Sequence, residues 1–380
     1  MRWGIQLRRG RLLALAALGL GALAVAPSAA APPGGGFSRA RPVSWISVAS
    51  GRPALVWVET AGGGLLSDDA GRSFHAPLST DAFRRAQVAQ ATLLADGKTL
   101  VAMPTVWSAQ QFTAPRWSAD GGATWQAGAL KGADAHYDFG AVSGFAGESP
   151  VTADPSDPRT AWFCQGNLYV THDAGRTWAV AAPRLKRPWH CAALAIATGR
   201  PHALILLVQS KASNPKLVPG RLLRSMNGGA TWKRLKTPHA PQLDYNGHAL
   251  AFDPAQPSTL LMIGANGAKV GALYRSIDAG LSWTRVRPAG RAPGAVVDEF
   301  AYAADGRVLA LVRTGDQQQG IFASADGGAT WTTAPSLRFG GTSPGILASP
   351  LAASGTTFLL GTNQRGFYRL TPGARRWVAP

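Results

Sequence analysis

Short apolar runs recur along the chain and are separated by turn-forming residues. In the clearest case, residues 248–252 and 258–264 are apolar runs on either side of a turn rich in Asp and Pro. The runs are apolar at successive positions rather than at alternating ones, which predicts strands that are covered on both faces. Residues 273–276 and 283–286 complete a predicted unit of four strands.

An eight-residue pattern, Ser/Thr-x-Asp-x-Gly-x-Ser/Thr-Trp, lies between the third and fourth strand of each unit. We call its copies octets 1 to 6, and they are Ser67–Phe74, Ser118–Trp125, Thr171–Trp178, Ser225–Trp232, Ser276–Trp283 and Ser324–Trp331. A seventh, eroded copy ends at Trp377 and has Pro372 where the Asp should stand. The near-constant spacing of the closing aromatic residues indicates a solenoid, a propeller or an array of repeats.

The octet composition predicts a tight turn. Its Asp and first Ser/Thr can accept hydrogen bonds from backbone N–H groups, and its Gly can adopt a positive φ. Octet 4 has Asn227 instead of Asp, so at least one copy needs the acceptor oxygen and not the charge. We therefore predict a structural role for the residues at this position, which are Asp69, Asp120, Asp173, Asn227, Asp278 and Asp326.

Four strands in each of seven units predict an all-β chain, with residues 41–380 forming one seven-bladed β-propeller of four-stranded blades. In the last unit the first two strands are predicted at residues 345–348 and 357–361, and the fourth ends at Val378. Because that unit holds all four of its own strands, we expect the ring to close by packing of blade 7 against blade 1, without a strand donated from the N-terminus.

The octets resemble Asp-boxes, and their run resembles the Asp-box (bacterial neuraminidase repeat) β-propellers of the sialidase-like superfamily. The layout is most similar to the seven-bladed photosystem-II assembly-factor-like and sortilin-type propellers. The resemblance implies that the octets lie on the face away from the usual ligand site. Sialidases of this superfamily carry an Arg-Ile-Pro-type motif near the start of the catalytic domain, and residues 37–42 lack it. The resemblance is therefore specific for architecture and weak for activity.

The N-terminus reads as a secretory signal peptide. Four arginines precede an apolar run, which ends in the small residues Ser28-Ala29-Ala30. We predict a signal over residues 1–30, a flexible lead over 31–40, no transmembrane anchor after cleavage, and a periplasmic or secreted protein. In an oxidising compartment Cys164 and Cys191, the two cysteines of the chain, are predicted to form a disulfide.

The chain carries a formal net charge of +18, and removal of the signal's four arginines leaves +14. Such a field favours a protein or an anionic envelope component as partner, although excess arginine can also serve solubility or guard sheet edges. No specific nucleic acid is expected. We predict one contiguous basic patch on two adjacent blades, made of Arg221, Arg224, Lys233, Arg234, Lys236, Arg285 and Arg287. The loops around Tyr137 and Tyr245 are the alternative recognition surface.

The sequence predicts no catalytic residue, and Asp138 and Asp244 are the weak candidates for one. The histidines have no metal-ligand spacing, so neither a metal nor a cofactor is expected. The leading hypothesis is an exported, non-enzymatic propeller that serves as a protein-binding or assembly scaffold. The alternative is a glycan-active hydrolase of the sialidase superfamily, which would need two carboxyl groups across a sugar.

Overall fold

The computed structural model describes most of the chain after the predicted signal and lead. The described residues are 42–60, 63–75, 88–104, 115–131, 151–186, 189–199, 202–210, 220–236, 250–266, 269–290, 292, 294–314, 319–337, 348–363 and 365–380. They form strands and turns, and among them there is no helix that could cross a membrane. The predicted signal (1–30) and lead (31–40) lie outside the described residues and stay predictions.

The strands form seven sheets, one per predicted blade, arranged as a β-propeller, and the strands within each blade pair antiparallel. Blades 1 to 3 contain β1 (Val43–Val48), β2 (Val56–Thr60), β3 (Gly63–Ser67); β4 (Val88–Leu93), β5 (Leu100–Pro104), β6 (Arg116–Ser118), β7 (Gln126–Ala127); and β9 (Thr152–Ala153), β10 (Ala161–Gln165), β11 (Asn167–Thr171), β12 (Thr177–Val180). Blade 3 also receives β8 (Ala129–Lys131), which pairs in parallel with β12.

Blades 4 to 7 follow the same order from the inner to the outer strand. They contain β13 (Trp189–Ile196), β14 (Leu204–Ser210), β15 (Arg221–Ser225), β16 (Lys233–Arg234); β17 (Leu250–Phe252), β18 (Leu260–Asn266), β19 (Lys269–Ser276), β20 (Thr284–Val286); β21 (Val296–Tyr302), β22 (Val308–Arg313), β23 (Gln319–Ser324), β24 (Thr332–Thr333); and β25 (Ala348–Ser354), β26 (Thr357–Thr362), β27 (Gly366–Leu370). In the described parts of blades 1 and 7 the place of the fourth strand is taken by single bridges, Leu66 with His75 and Arg369 with Val378.

The first strand of blade 7 differs from its prediction. It was expected at residues 345–348, but β25 runs from Ala348 to Ser354, and residues 345–347 lie outside the described residues. Ser354 pairs with Thr357 across a two-residue turn in which Gly355 has a φ of +58°. A hairpin this tight requires both strands to continue up to the turn, so β25 includes a segment that the apolar pattern did not mark.

Hydrophobic clusters fill the space between neighbouring blades. On β2, Trp57 packs against blade 2, whereas Val56 and Val58 pack against blade 7. All three side chains are fully buried. The prediction that both faces of the inner strands are covered is therefore confirmed for β2, because successive side chains of a strand point to opposite faces.

The ring closes through side chains. Val43 and Ile46 of blade 1 pack with Leu359 and Phe367 of blade 7. Phe74 meets Phe367 edge to face, with ring centroids 5.0 Å apart. Within the described ranges no strand of one of these two blades pairs with the sheet of the other. Residues 1–41 lie outside those ranges, so closure without an N-terminal strand stays a prediction.

The antiparallel order gives each blade two distinct ends. The octets and the turns between first and second strands lie at one end, which we call the octet face. The connections between second and third strands and between blades lie at the other, which we call the loop face. A residue's position along its strand therefore tells which face it approaches.

Candidate binding surfaces

The octets are closed hydrogen-bonded turns. In octet 6 the Ser324 hydroxyl donates to Asp326 Oδ1 (2.7 Å) and accepts from the backbone N–H of Gly328 (2.8 Å). The Asp326 carboxylate accepts from both the backbone N–H (2.9 Å) and the hydroxyl (2.6 Å) of Thr330. Trp331 Nε1 donates to the Gly328 carbonyl (3.0 Å). Each polar side chain of the turn thus satisfies backbone or side-chain groups of the same turn.

Octet 4 keeps this network without a carboxylate. Asn227 Oδ1 accepts from the Ser225 hydroxyl and from the Thr231 backbone N–H, both at 2.9 Å. The Asn227 amide donates to the Thr231 hydroxyl at 3.0 Å. The turn therefore needs the acceptor geometry, and the charge is dispensable.

The octet carboxylates are poor candidates for proton transfer. Slight burial favours a higher pKa, but hydrogen bonds from Ser324, Ala329 and Thr330 outweigh it and lower the pKa of Asp326 to about 2. The same balance lowers the pKa of Asp69 to about 2 and lowers those of Asp120, Asp173 and Asp278. These groups stay ionised and engaged in their turns.

Three of the predicted patch residues lie on the side of blade 4 that faces blade 3. Arg221 begins β15, and its guanidinium carbon lies 3.6 Å from the ring centroid of Trp189. Arg234 is the cross-strand partner of Leu223, which packs towards blade 3. Leu235 donates its N–H to Leu222, so the same register places Lys236 opposite Arg221. Slight burial and then the charge of Arg234 lower the pKa of Arg221. We call Arg221, Arg234 and Lys236 the blade 4 outer cluster.

The other patch residues lie where blades 4 and 5 face each other, two on each blade. Arg224 donates from Nη1 to the carbonyls of Asp278 (3.4 Å) and Ala279 (3.3 Å) in octet 5. Lys233 is its cross-strand partner and is exposed. Arg285 is the partner of Tyr274, whose side chain packs between blades 4 and 5. Arg287 follows β20 and is exposed. The β-strand alternation therefore divides the seven residues into two sets, and their function as one surface stays a prediction.

The seven cations have no carboxylate partner in the part of the chain that the structure describes. The ion pairs described there join His202 to Asp154, Arg307 to Asp305 and Arg313 to Asp298. Because cations close together repel one another, an anion near either set is favoured.

Glu59, at the end of β2, is a buried carboxyl group that the sequence reading missed. It accepts hydrogen bonds from the backbone N–H groups of Gln90 (2.9 Å) and Ala91 (2.5 Å), and from Trp57 Nε1 (3.2 Å). Burial raises its pKa to about 7, and the three hydrogen bonds oppose that rise. The group joins blade 1 to the bulged inner strand of blade 2, so its role is structural. In the sequence, the sign of this buried group is a single Glu directly after the apolar run 54–58.

Glu299 resembles Glu59 in position between blades. It is 2% exposed, and its Oε1 accepts from the backbone N–H of Leu351 in blade 7 at 3.0 Å. The described residues include no group of three or more His, Cys, Asp or Glu side chains that could hold a metal ion.

A disulfide joins blades 3 and 4 near the loop face. Cys164 near the end of β10 and Cys191 near the start of β13 are bonded, with Cα atoms 5.1 Å apart. Their backbones also meet, since Cys191 N–H donates to the Gly166 carbonyl at 2.8 Å. The bond lies close to Trp189 and therefore to the blade 4 outer cluster.

A cleft of about 190 Å³ opens between blades 6 and 7. Ala323 lines it at the position where blades 4 and 5 have Arg224 and Arg275. The opposite wall includes Leu370 and Gly373 of the eroded seventh octet. The described lining residues are mostly apolar and include no carboxyl or imidazole group.

Four predicted site residues lie outside the described residues: Tyr137, Asp138, Asp244 and Tyr245. Their role as an alternative surface, or as catalytic candidates, stays a prediction.

No family model and no curated protein matches the chain. Solved structures do match it. YCF48 from Cyanidioschyzon merolae is 13% identical with a TM-score of 0.55, over 89% of this chain and 98% of that one. YCF48 bound to D1 peptide also gives a TM-score of 0.55 at 13% identity, over 88% and 95%. These likenesses show the β-propeller fold.

Propellers of hydrolytic enzymes match equally well. The β-propeller domain of the Trilobed protease from Pyrococcus furiosus is 8% identical with a TM-score of 0.55, over 90% of this chain and 98% of that one. A puromycin-hydrolysing peptidase of Mycobacterium tuberculosis gives 0.58 at 13% identity, over 89% of this chain and 52% of that one. At such identities the comparisons show the fold alone.

Proposed function

We propose that the chain is an exported, non-enzymatic Asp-box propeller that binds an acidic segment of a partner protein, as a binding or assembly scaffold. The observation that carries the proposal is the blade 4 outer cluster, whose three cations lie together and have no carboxylate partner among the described residues. The solved complex of YCF48 with D1 peptide supports it, because that propeller of similar extent binds a peptide.

Arg221 is suited to hold a carboxylate. Its guanidinium lies over Trp189, and stacking on an indole fixes the plane of the group while its N–H edges stay available. A carboxylate can accept two parallel hydrogen bonds from such a fork. Arg234 and Lys236 then add positive charge for further acidic residues of the same segment.

The octet carboxylates and Glu59 are unsuited to glycoside hydrolysis. The octet carboxylates are ionised and engaged in their own turns. Glu59 is buried and accepts three hydrogen bonds from protein groups. A glycosidase needs one acid and one base beside a sugar, and neither set provides that pair.

The test is binding of a synthetic Glu/Asp-rich peptide at low and at moderate salt. Wild type should bind in a salt-sensitive way, because rim charges act mainly on association and are screened. Replacement of Arg221, Arg234 and Lys236 by Ser should abolish binding. Replacement of Lys98, Arg375 and Arg376, exposed cations of blades 2 and 7, removes the same charge and should leave binding largely intact.

Equal loss in both triple variants would reduce the cluster to a contribution to overall charge. A screen with chromogenic glycosides and sialosides tests the alternative. Hydrolysis that Asp138→Asn or Asp244→Asn abolishes would replace the scaffold proposal by a glycan hydrolase.

A further inference from the structure

Large aliphatic side chains are exposed at two neighbouring octets. The exposed large hydrophobic residues among those described are Met226 (53%), Ile277 (60%), Leu281 (56%) and Val378 (50%). Met226 lies in octet 4, and Ile277 and Leu281 lie in octet 5. Three of four such side chains are thus at the tips of two turns.

The turn itself does not require these side chains. At the second position of the octet the other copies have Asp68, Ala119, His172 and Ala325. At the sixth position, where octet 5 has Leu281, they have Arg72, Ala123, Arg176, Ala230 and Ala329. Octet 6 forms the same hydrogen-bonded turn with Ala at both positions. The aliphatic groups therefore serve something other than the turn.

The two octets form one surface. Arg224, two residues before Met226, donates to the carbonyls of Asp278 and Ala279, which directly follow Ile277. The guanidinium of Arg224 therefore bridges the two turns. Their tips lie side by side on the octet face.

The charge of this surface is positive. Octet 4 has the neutral Asn227 where the other five described octets have Asp. The remaining carboxylate, Asp278, is held by the hydroxyls of Ser276 and Ser282. Arg224, Lys233 and Arg285 lie within two residues of the ends of these octets, at register positions on the sides where blades 4 and 5 face each other. The neutral Asn227 and the exposed aliphatic side chains thus lie on the same pair of octets.

We propose that octets 4 and 5 form a membrane-contacting surface that places Met226, Ile277 and Leu281 in the interface of an anionic bilayer. The exposed Lys233 faces the lipid headgroups, and Arg224 and Arg285 add positive charge behind it. Aliphatic side chains on protruding turns can insert between lipid headgroups, and adjacent cations attract anionic lipids. Three aliphatic side chains alone would bind a membrane only weakly, so binding needs both the apolar contacts and the attraction of the cations to anionic lipids. This surface is on the octet face, and it does not depend on peptide binding at the blade 4 outer cluster.

The test is co-sedimentation of the mature protein with vesicles of phosphatidylcholine, alone or mixed with phosphatidylglycerol. Wild type should bind the mixed vesicles and bind phosphatidylcholine vesicles much less. The triple change Met226→Ala, Ile277→Ala and Leu281→Ala copies residues that other octets use at these positions, so the turns should keep their form. It should weaken vesicle binding by more than about tenfold.

Val378→Ala is the matched control, because Val378 is similarly exposed but lies in blade 7, and it should bind like wild type. Lys233→Ser should weaken binding to the mixed vesicles only. No binding of wild type to the mixed vesicles, or equal binding by the triple variant, would overturn the proposal. In the latter case the cations alone attract the lipid. The triple variant should bind the acidic peptide like wild type, so the two proposals can fail separately.

Discussion

Arg275 on β19 donates from Nε to the carbonyl of Gly327, 2.9 Å away, and so attaches blade 5 to the octet of blade 6. Its Nη2 also donates to the Asp326 carbonyl at 3.2 Å. Arg224 makes the same kind of contact with octet 5. Arginines directly before an octet therefore link successive blades, in addition to the apolar clusters.

Replacing Arg275 by Ala should lower the free energy of unfolding by about 1.5–3 kcal/mol, since it removes charge-assisted hydrogen bonds to two octet carbonyls. Urea denaturation followed by tryptophan fluorescence measures the change. Arg287→Ala is the control, because that guanidinium is exposed and has no hydrogen bond among the described residues. It should change stability by less than about 0.5 kcal/mol. Equal effects of the two changes would refute a specific role for the contact.

Asp326→Ala should lower the free energy of unfolding by about 1–3 kcal/mol, because it leaves the N–H and hydroxyl of Thr330 without their acceptor. Asp326→Asn should cost much less, since Asn227 maintains the same turn in octet 4. Denaturation of both variants under identical conditions decides the point. Similar losses would show that the charge, and not the hydrogen-bond geometry, stabilises the turn.

Glu59 should make a contribution to wild-type stability that falls as the pH rises from about 4.5 to about 7. Its pKa is raised from 4.5 to about 7 by burial, so in this window the folded chain holds a proton that the unfolded chain has released. The unfolded state then binds fewer protons, and stability decreases with pH. In Glu59→Gln the contribution of Glu59 to the change of stability with pH should be absent. The variant should also be less stable at every pH, because the amide NH2 group replaces an oxygen that accepts from an N–H group. Unfolding free energies at several pH values measure the slope, and an unchanged slope in the variant would assign it to other groups.

The intact mass of the protein without reductant should lie two hydrogens below the value for two thiols, because Cys164 and Cys191 are bonded. The bond closes a loop with a sequence separation of 27 residues. Its loss in the double Cys→Ala variant should lower stability by about 3 kcal/mol through the entropy of the unfolded chain. An unchanged midpoint for the variant would show that β10 and β13 are held by packing alone.

The octet turns were predictable because their interactions are local: Asp326 bonds to a residue four positions away, and the same eight residues recur. The inner strands were predictable because their apolar runs are long. β8 was not, since Ala129–Lys131 is too short for any period and its parallel partner β12 lies in another blade.

The two sets of basic residues could have been separated from the sequence. Leu235 between Arg234 and Lys236 indicates alternation, but the direction of each side depends on strand register, which only the fold supplies. Glu59 was missed because its partners, Gln90 and Ala91, lie in the next blade. The exposed tips of octets 4 and 5 become visible once the copies are compared position by position.

Among the described residues, blades 1 and 7 meet through side-chain packing such as that of Phe74 on Phe367, and no strand is exchanged between them. The fold should therefore tolerate chain ends at another junction between blades. New termini opened between blades 4 and 5, with the old ends joined by a flexible linker, should give a circular permutant that still folds. The connection between blades 2 and 3 is different, because β8 leaves blade 2 and pairs with β12. A permutant opened between β7 and β8 would break the covalent link from blade 2 to the strand that pairs with blade 3, so a cut at this point should be tolerated least.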